Sequence, residues 1–502
     1  MNHRPALIFW LGAAASILAS RLAHANLLWA DEDYHLAAAI QVLYGKFPYR
    51  DFWYDKPPLN LAFYLISGAR AGVVLRVADT LFVLLCCALA YRFASRLWSR
   101  REGLFAAGAL AFFSIFYSTP AVLPLEPDTL MIAPHLGAVY MAWRRKPLLA
   151  GVLAAFAFQL NVKGVFVLAF CLAVSLEGGL QAARGFSPAL ADAGLKSRAG
   201  LSPPSMRAGA RMLAGFLSVN ALVLLALSLT GSLAGYWTQV WRWGWLYLRA
   251  ASGGGFLQLL GWLGFHAALI LAALWYWASW YWKVDEKKSS FRPLLIWFVL
   301  ALAFSAVGLR SAPRYFNLLL PPLAIAGARG MSLANRRGLA LIAALFVIPA
   351  VRFGPRYFEL RSWKDTAMDR ESHRAAEIVS AAARPAAQSK DTIFVWGYRP
   401  DVIAYTRLPI AGRFLDSQPL TGVPANRHLF DARTVAPEWA RENRAELARA
   451  DPSFRPAFLV DGLSLYNPQL ALGSYPDLAP WFAQYCPLAR AGLIAIYEPC
   501  RR

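Results

Sequence analysis

Apolar stretches recur along the first 353 residues of this sequence, and that recurrence constrains the fold more than any other feature. They fall at 6–25, 72–91, 103–118, 129–143, 148–161, 164–177, 212–230, 257–281, 293–309, 315–328 and 338–351. Backbone placed in hydrocarbon must satisfy its own hydrogen bonds, so each stretch predicts a helix. Basic clusters at 92–101, 144–146, 184–211, 283–292 and 329–337 separate them. If eleven spans alternate, every one of those clusters falls on one side. The positive-inside rule makes that side cytoplasmic, together with Met1. Only 16% of residues are charged, against about 25% in soluble domains. The expectation is an α-helical polytopic protein of the cytoplasmic (inner) membrane, with about eleven transmembrane helices over residues 1–353.

The net charge of +22 would suggest nucleic acid in a soluble chain. Here the Lys and Arg lie between apolar spans, so topology and anionic lipid account for them. No basic module with stacking aromatics is visible, which argues against a nucleic-acid partner. The first span carries Ala23-His24-Ala25, a small-residue site of the kind that ends a signal peptide. We read it as a retained helix. Cys86, Cys87 and Cys171 sit in apolar spans as small hydrophobes, and no CxxC or His/Cys spacing suggests zinc.

The polar interruption at 26–71 is long and chemically loaded, which marks it as the first candidate for a site. Asp31, Glu32 and Asp33 open it, and Lys46, Arg50 and Lys56 alternate with Tyr44, Tyr49, Trp53 and Tyr54 before Pro57-Pro58. Glu32–Tyr44 and Leu59–Ile66 have helical character and suit the membrane interface. The plainer reading makes Asp31 an N-cap and nothing more. Burial beside an apolar span would raise the pKa of Asp31 or Glu32, which suits a general base. A second loop on the same face carries Glu126 and Asp128. These could sit at a helix N-terminus for electrostatic reasons alone, or converge with the first loop on a nucleophile or a divalent ion. Lys46, Arg50, Lys56, Lys163, Arg242, Arg249, Arg310 and Arg314 all lie on this face, against the topology bias. Snorkelling explains Arg242 and Arg249 best, whereas Lys56, Lys163, Arg310 and Arg314 are candidates to hold a phosphate.

Residues 354–502 change character: charges and prolines rise and no span remains. DTIFVWGY and FRPAFLVDG read as short buried strands, and Ser372–Ala383 and Ala436–Ala448 as helices. The expectation is a small α/β domain outside the cytoplasm. Cys486 and Cys500 both fall in it and could form a disulfide there or remain two free thiols.

Together these residues resemble the GT-C superfamily of integral-membrane glycosyltransferases, in the branch of protein O-mannosyltransferases and the lipid A aminoarabinose transferase. Asp31-Glu32 matches the acidic pair that opens the family's first outer loop. PYRDFWYDKPPLN is similar to the family's "pY.D....KPPL" segment, which marks Tyr49, Arg50, Asp51, Pro57 and Pro58 as substrate-loop residues. Glu126-Pro127-Asp128 falls at the second acidic motif. RSAPRYFNLLLPPLAIAG, with Tyr315, resembles a late span, although Arg314 stands where the family often has His. The resemblance implies a sugar donor on a polyprenyl phosphate, a lipid, protein or glycan acceptor, Asp31 as base with Glu32 beside it, and inversion at the anomeric carbon. It implies no certain cofactor and leaves a divalent metal open. The competing reading is a transporter or flippase of a lipid-linked glycan. Such a protein should show internal repeats and ionisable groups at the midplane, whereas here no repeat is visible and the charges gather on one face.

Overall fold

The structure is a computed structural model that describes residues 4–28, 31–117, 125–184, 204–249, 255–281, 291–307, 313–358, 364–384, 390–424, 431–448 and 455–500. Among the described residues, each apolar stretch of the sequence overlaps a helix or a helix pair. Helix α1 is Arg4–Leu22, followed in the first loop by α2, Glu32–Leu43, and α3, Leu59–Ile66. Then come α4, Val73–Leu97; α5, Arg100–Ile115; the single turn α6, Pro127–Leu130; α7, Ile132–Trp143; α8, Pro147–Leu160; α9, Val165–Arg184; and α10, Pro204–Leu229. The aromatic segment after α10 forms α11, Leu233–Tyr236, a π-helical turn Trp237–Arg242, and α12, Trp243–Arg249. Helices α13, Gly255–Phe265; α14, Ala267–Tyr281; α15, Phe291–Ser305; α16, Leu320–Leu333; and α17, Arg336–Phe353 complete the bundle.

Two stretches differ from the continuous spans expected. Residues 257–281 break at His266, where α13 and α14 meet at 75°. The His266 ring stacks on Trp262 and Phe113 there, with centroids 4.2 and 4.6 Å away. The span expected at 315–328 begins as a 3₁₀ turn, Pro313–Leu319. The α-helix starts only at Leu320, because Pro321 and Pro322 lack the N–H donors of a helix interior. Among the described residues, Val73–Leu97, Met206–Leu229 and Arg336–Tyr357 are each long and apolar enough to cross a bilayer, and the bent pair makes a fourth candidate. Small residues allow close backbone contacts in the bundle. A Cβ on Gly151 of α8 would lie 1.9 Å from the Met212 carbonyl oxygen of α10, so these two backbones touch only because glycine stands there.

The tail folds around a four-stranded sheet of order β1-β2-β4-β3, with β1 Ile393–Trp396, β2 Phe458–Asp461, β3 Tyr485–Ala491 and β4 Ile494–Pro499. The first pair is parallel and the others antiparallel. Helices α18, Lys364–Ala382; α19, Pro400–Thr406; α20, Gln418–Thr421; α21, Pro437–Ala448; and α22, Ala479–Phe482 surround it. A disulfide joins Cys486 of β3 to Cys500 just past β4.

The tail and the first loop share one hydrophobic core. Ile40 and Ala37 of α2 lie in the same buried cluster as Val402 and Ile403 of α19 and Val395 of β1. Polar seams reinforce it. The Trp53 N–H donates to the Arg413 carbonyl at 2.6 Å, and Ile410 N–H to Gln41 Oε1 at 2.9 Å. Lys46, expected as one of the outer cations, donates to the Ile410 carbonyl at 2.7 Å. The loop therefore packs with the tail as much as with the helices that flank it.

Candidate active site

Four loop segments meet beside the end of α8 and the start of α12. The first is the start of α2. Asp31 precedes that helix with φ at +82°, a left-handed conformation that few side chains adopt. Its carboxylate makes no capping bond to the helix, so the plainer reading of an N-cap does not hold. It turns instead to Arg314 Nη1, which donates to Oδ2, and to the Tyr398 hydroxyl, 3.3 Å from Oδ1. The second segment carries Lys56, whose Nζ lies 2.9 Å from Asp55. Tyr49, with φ at +68°, fixes this segment by donating its hydroxyl to the Lys56 carbonyl at 2.6 Å. Asn60 then ties KPPLN to the end of α8 by donating to the Leu160 carbonyl at 2.6 Å.

The third segment is the break between α8 and α9. Asn161 Oδ1 caps the 3₁₀ turn Val162–Gly164 by accepting from the Lys163 N–H at 3.0 Å. A Cβ on Gly164 would lie 2.5 Å from the Ala157 carbonyl carbon, so the turn requires glycine. It presents Lys163 over the Tyr315 ring, 3.4 Å from the centroid, and 3.9 Å from Asp128. Lys163 Nζ is buried and has no hydrogen-bond acceptor among the described residues. The fourth segment is the second acidic loop. Glu126 faces Arg314 Nε at 3.5 Å and accepts from Asn317 at 3.4 Å, while Asp128 accepts from Asn161 at 2.9 Å.

These segments enclose a cavity of ≈ 210 Å³. Of the residues expected from sequence, Asp31, Lys56, Pro57, Glu126, Asp128, Lys163, Arg314 and Tyr315 line it. Others stand elsewhere. Glu32, expected beside Asp31 as a catalytic acid, is fully buried against Arg76 of α4, with both carboxylate oxygens held at 2.8 Å. It also accepts from the Leu125 N–H at 3.2 Å, so it stitches the two acidic loops together. Arg50 pairs with Asp51 on the surface at 2.8 Å, and Asp51 accepts from its own turn's Phe47 N–H. Pro58 precedes α3, and Tyr49 is a buried strut. Arg310 lies outside the described residues. Sequence reasoning passed over Asp55, Asn161, Trp243, Tyr247 and Tyr398. Asn161 had a local signal, a polar residue directly before a lysine at a helix break.

The electrostatics also differ from expectation. Burial pushes the Asp31 carboxyl up, but the charges of Arg314, Lys56 and His35 and the Tyr398 hydrogen bond outweigh it and hold Asp31 below the usual carboxylate range. The carboxyls raised inside the cavity are those of the second loop. Burial drives Glu126 well up, helped by Asp128 and Asp31 and opposed by Arg314. Asp128 is raised by burial against the pull of Lys163. Burial lowers Lys163, which Asp128 only partly restores. Each acid in the cavity thus faces a cation, and among the described residues no three His, Cys, Asp or Glu side chains are grouped to hold a metal ion. In such a site the ionised carboxylate can orient a hydroxyl while the three cations hold an anion.

No protein-family model matches the sequence, and no curated protein matches it. Solved structures do. ArnT from Cupriavidus metallidurans in the apo state superposes with a TM-score of 0.56 at 15% identity, covering 99% of this chain and 98% of that one. The chain has the fold of the GT-C glycosyltransferases. The same ArnT bound to undecaprenyl phosphate gives a TM-score of 0.54 at 13% identity, with the same coverage. The archaeal oligosaccharyltransferase AglB from Archaeoglobus fulgidus, in complex with an inhibitory peptide and a dolichol-phosphate, gives 0.50 at 13% identity over 99% of this chain and 74% of its own. The GT-C fold is an integral-membrane one, in agreement with the apolar helices of this chain.

Proposed function

We propose that this chain is a glycosyltransferase that moves a sugar from a polyprenyl-phosphate donor to a lipid, protein or glycan acceptor at the outer face of the cytoplasmic membrane. The observation that carries the reading is the cavity in which ionised Asp31 stands among Arg314, Lys56 and Lys163. The solved structures of this fold support it, since ArnT is bound to undecaprenyl phosphate and AglB to a dolichol-phosphate. The buried Lys163 ammonium, which among the described residues has only Asp128 at 3.9 Å as a charge partner and no hydrogen-bond acceptor, is the natural seat of a donor phosphate.

In the step proposed, the acceptor oxygen or nitrogen attacks the anomeric carbon and forms the new glycosidic bond. The bond from that carbon to the phosphate oxygen breaks, and polyprenyl phosphate leaves with the electron pair. The acceptor's proton passes to Asp31 as the attack proceeds, and the configuration inverts. A phosphate is a good leaving group, so no strong acid is required opposite the base, unlike in glycosidases. Lys56, Lys163 and Arg314 offset the charge that grows on the phosphate. An Asp31 held below the usual range is a weak base in the resting protein. It acts by orientation and by accepting the proton late.

The test supplies membranes containing the chain with radiolabelled polyprenyl-phosphate sugars. Label should move to an acceptor. Label that crosses the bilayer with its sugar–phosphate bond intact would make the chain a flippase and overturn the reading. The proposed topology has eleven spans, a cytoplasmic N-terminus and the tail, residues 354–502, outside. A cysteine at exposed Ser474 should react with an impermeant thiol reagent in intact cells, and one at exposed Ser99 should not. The opposite labelling would refute that orientation.

A further inference from the structure

Asp31 is held from two sides by residues far away in sequence. Arg314 takes Oδ2, and the Tyr398 hydroxyl lies 3.3 Å from Oδ1. Nothing in α2 itself fixes the carboxylate, which makes no capping bond. We propose that Tyr398, brought in from the tail, is a positioning residue that sets the Asp31 carboxylate for the acceptor, so that the tail is part of the active site. This inference rests on the reading of Asp31 given above.

The local structure is organised to deliver this hydroxyl. Strand β1 ends at Trp396, and Gly397 follows with φ at +107°, a backbone that favours glycine. Its N–H donates to Ser417 Oγ at 2.9 Å, and a Cβ there would meet that of Leu463 at 3.1 Å, so the turn is fixed on both faces. Tyr398 comes next, and Pro400 then starts α19, which packs on α2. The two helices in contact are therefore the ones that follow Tyr398 and Asp31. The turn lies at the carboxyl end of a parallel strand, the end of an α/β sheet where ligands are usually met. Ring stacking completes the support: Tyr398 lies on Tyr34 with centroids 6.2 Å apart, and Tyr34 on Tyr54 at 5.5 Å. A carboxylate oxygen can accept more than one hydrogen bond. Oδ1 can thus keep the Tyr398 bond while it accepts the nucleophile's hydrogen.

The plain alternative is that Tyr398 merely packs, and Tyr398→Phe separates the two because it keeps the ring and removes only the hydroxyl. In the sugar-transfer assay on the full chain in membranes, we expect Tyr398→Phe to lower kcat by about 10-fold with the donor KM unchanged, the scale of one lost hydrogen bond to a charged group. The low-pH limb of kcat should move to higher pH, since the ionised form of Asp31 loses a donor. In an Asp31→Asn background the same change should cost nothing further, because the two residues act through one group. A wild-type kcat and pH profile for Tyr398→Phe, with Asp31→Asn inactive, would overturn this inference and leave the proposed function standing. A wild-type rate for Asp31→Asn would overturn this inference together with the role given to Asp31.

Discussion

Asp31 and Glu32 are adjacent, both are acids and both meet an arginine, yet their ion pairs serve different ends. The Glu32–Arg76 pair is sealed: both side chains are 0% exposed, and the contact is bidentate at 2.8 Å. Arg76 also donates to the Leu27 carbonyl, so the pair joins α4, the first loop and the second loop. The Asp31–Arg314 pair opens on the cavity, with side chains 16% and 28% exposed. Arg314 divides its charge between Asp31 and Glu126. The sealed pair can only hold the loops together. The open one can exchange a partner with a ligand.

The largest effect that would sharpen this contrast comes from breaking the sealed pair. Arg76→Ala leaves a buried carboxylate without its partner, which should cost about 3–5 kcal/mol. Thermal unfolding in detergent should show a large loss, and an unchanged melting temperature would refute the structural role. A second effect concerns a third carboxylate. Asp416 of the tail lies beside Asp55 and Lys56, near Tyr34 and Tyr398, and accepts from the Gln418 N–H at 2.7 Å. Burial and the Asp55 charge, partly offset by Gln418 and Lys56, push it up to about 7. A raised acid stabilises the fold below its unfolded value, about 3.9, and loses that contribution as pH rises through the folded one. The melting temperature of the wild type should therefore fall more steeply between pH 4 and 7 than that of Asp416→Asn. Parallel profiles would show that Asp416 does not titrate in this window. The smallest effect belongs to Arg50–Asp51, a part-exposed surface pair outside the cavity lining. Arg50→Ala should leave melting temperature and transfer rate unchanged, and a lost rate would put that pair back among the substrate contacts.

Much of this was legible in the sequence because lipid imposes a simple rule: helices follow long apolar runs, and charges at their ends need partners. That rule brought Lys56, Lys163 and Arg314 to one face, and the structure places all three on one cavity. It could not separate Asp31 from Glu32. Asp31 stands just outside α2 with φ at +82° while Glu32 begins the helix, and which acid is sealed depends on Arg76, hidden inside the apolar run 72–91. The substrate-loop motif likewise mixed roles. Pro57 lines the cavity, whereas Tyr49 braces the Lys56 carbonyl from behind. The part played by Tyr398 was not legible, since 367 positions separate it from Asp31 and only the packing of α19 on α2 joins them.

The most direct test of the account is the single-turnover rate of sugar transfer by Asp31→Asn, in protein shown to melt like the wild type. Asparagine keeps the size of the side chain and removes its capacity to take a proton. The account predicts a rate lower by about 10²–10⁴-fold, with donor binding little changed. Transfer by folded Asp31→Asn at the wild-type rate would contradict it, and the acidic role would then pass to Glu126 or Asp128, which line the same cavity.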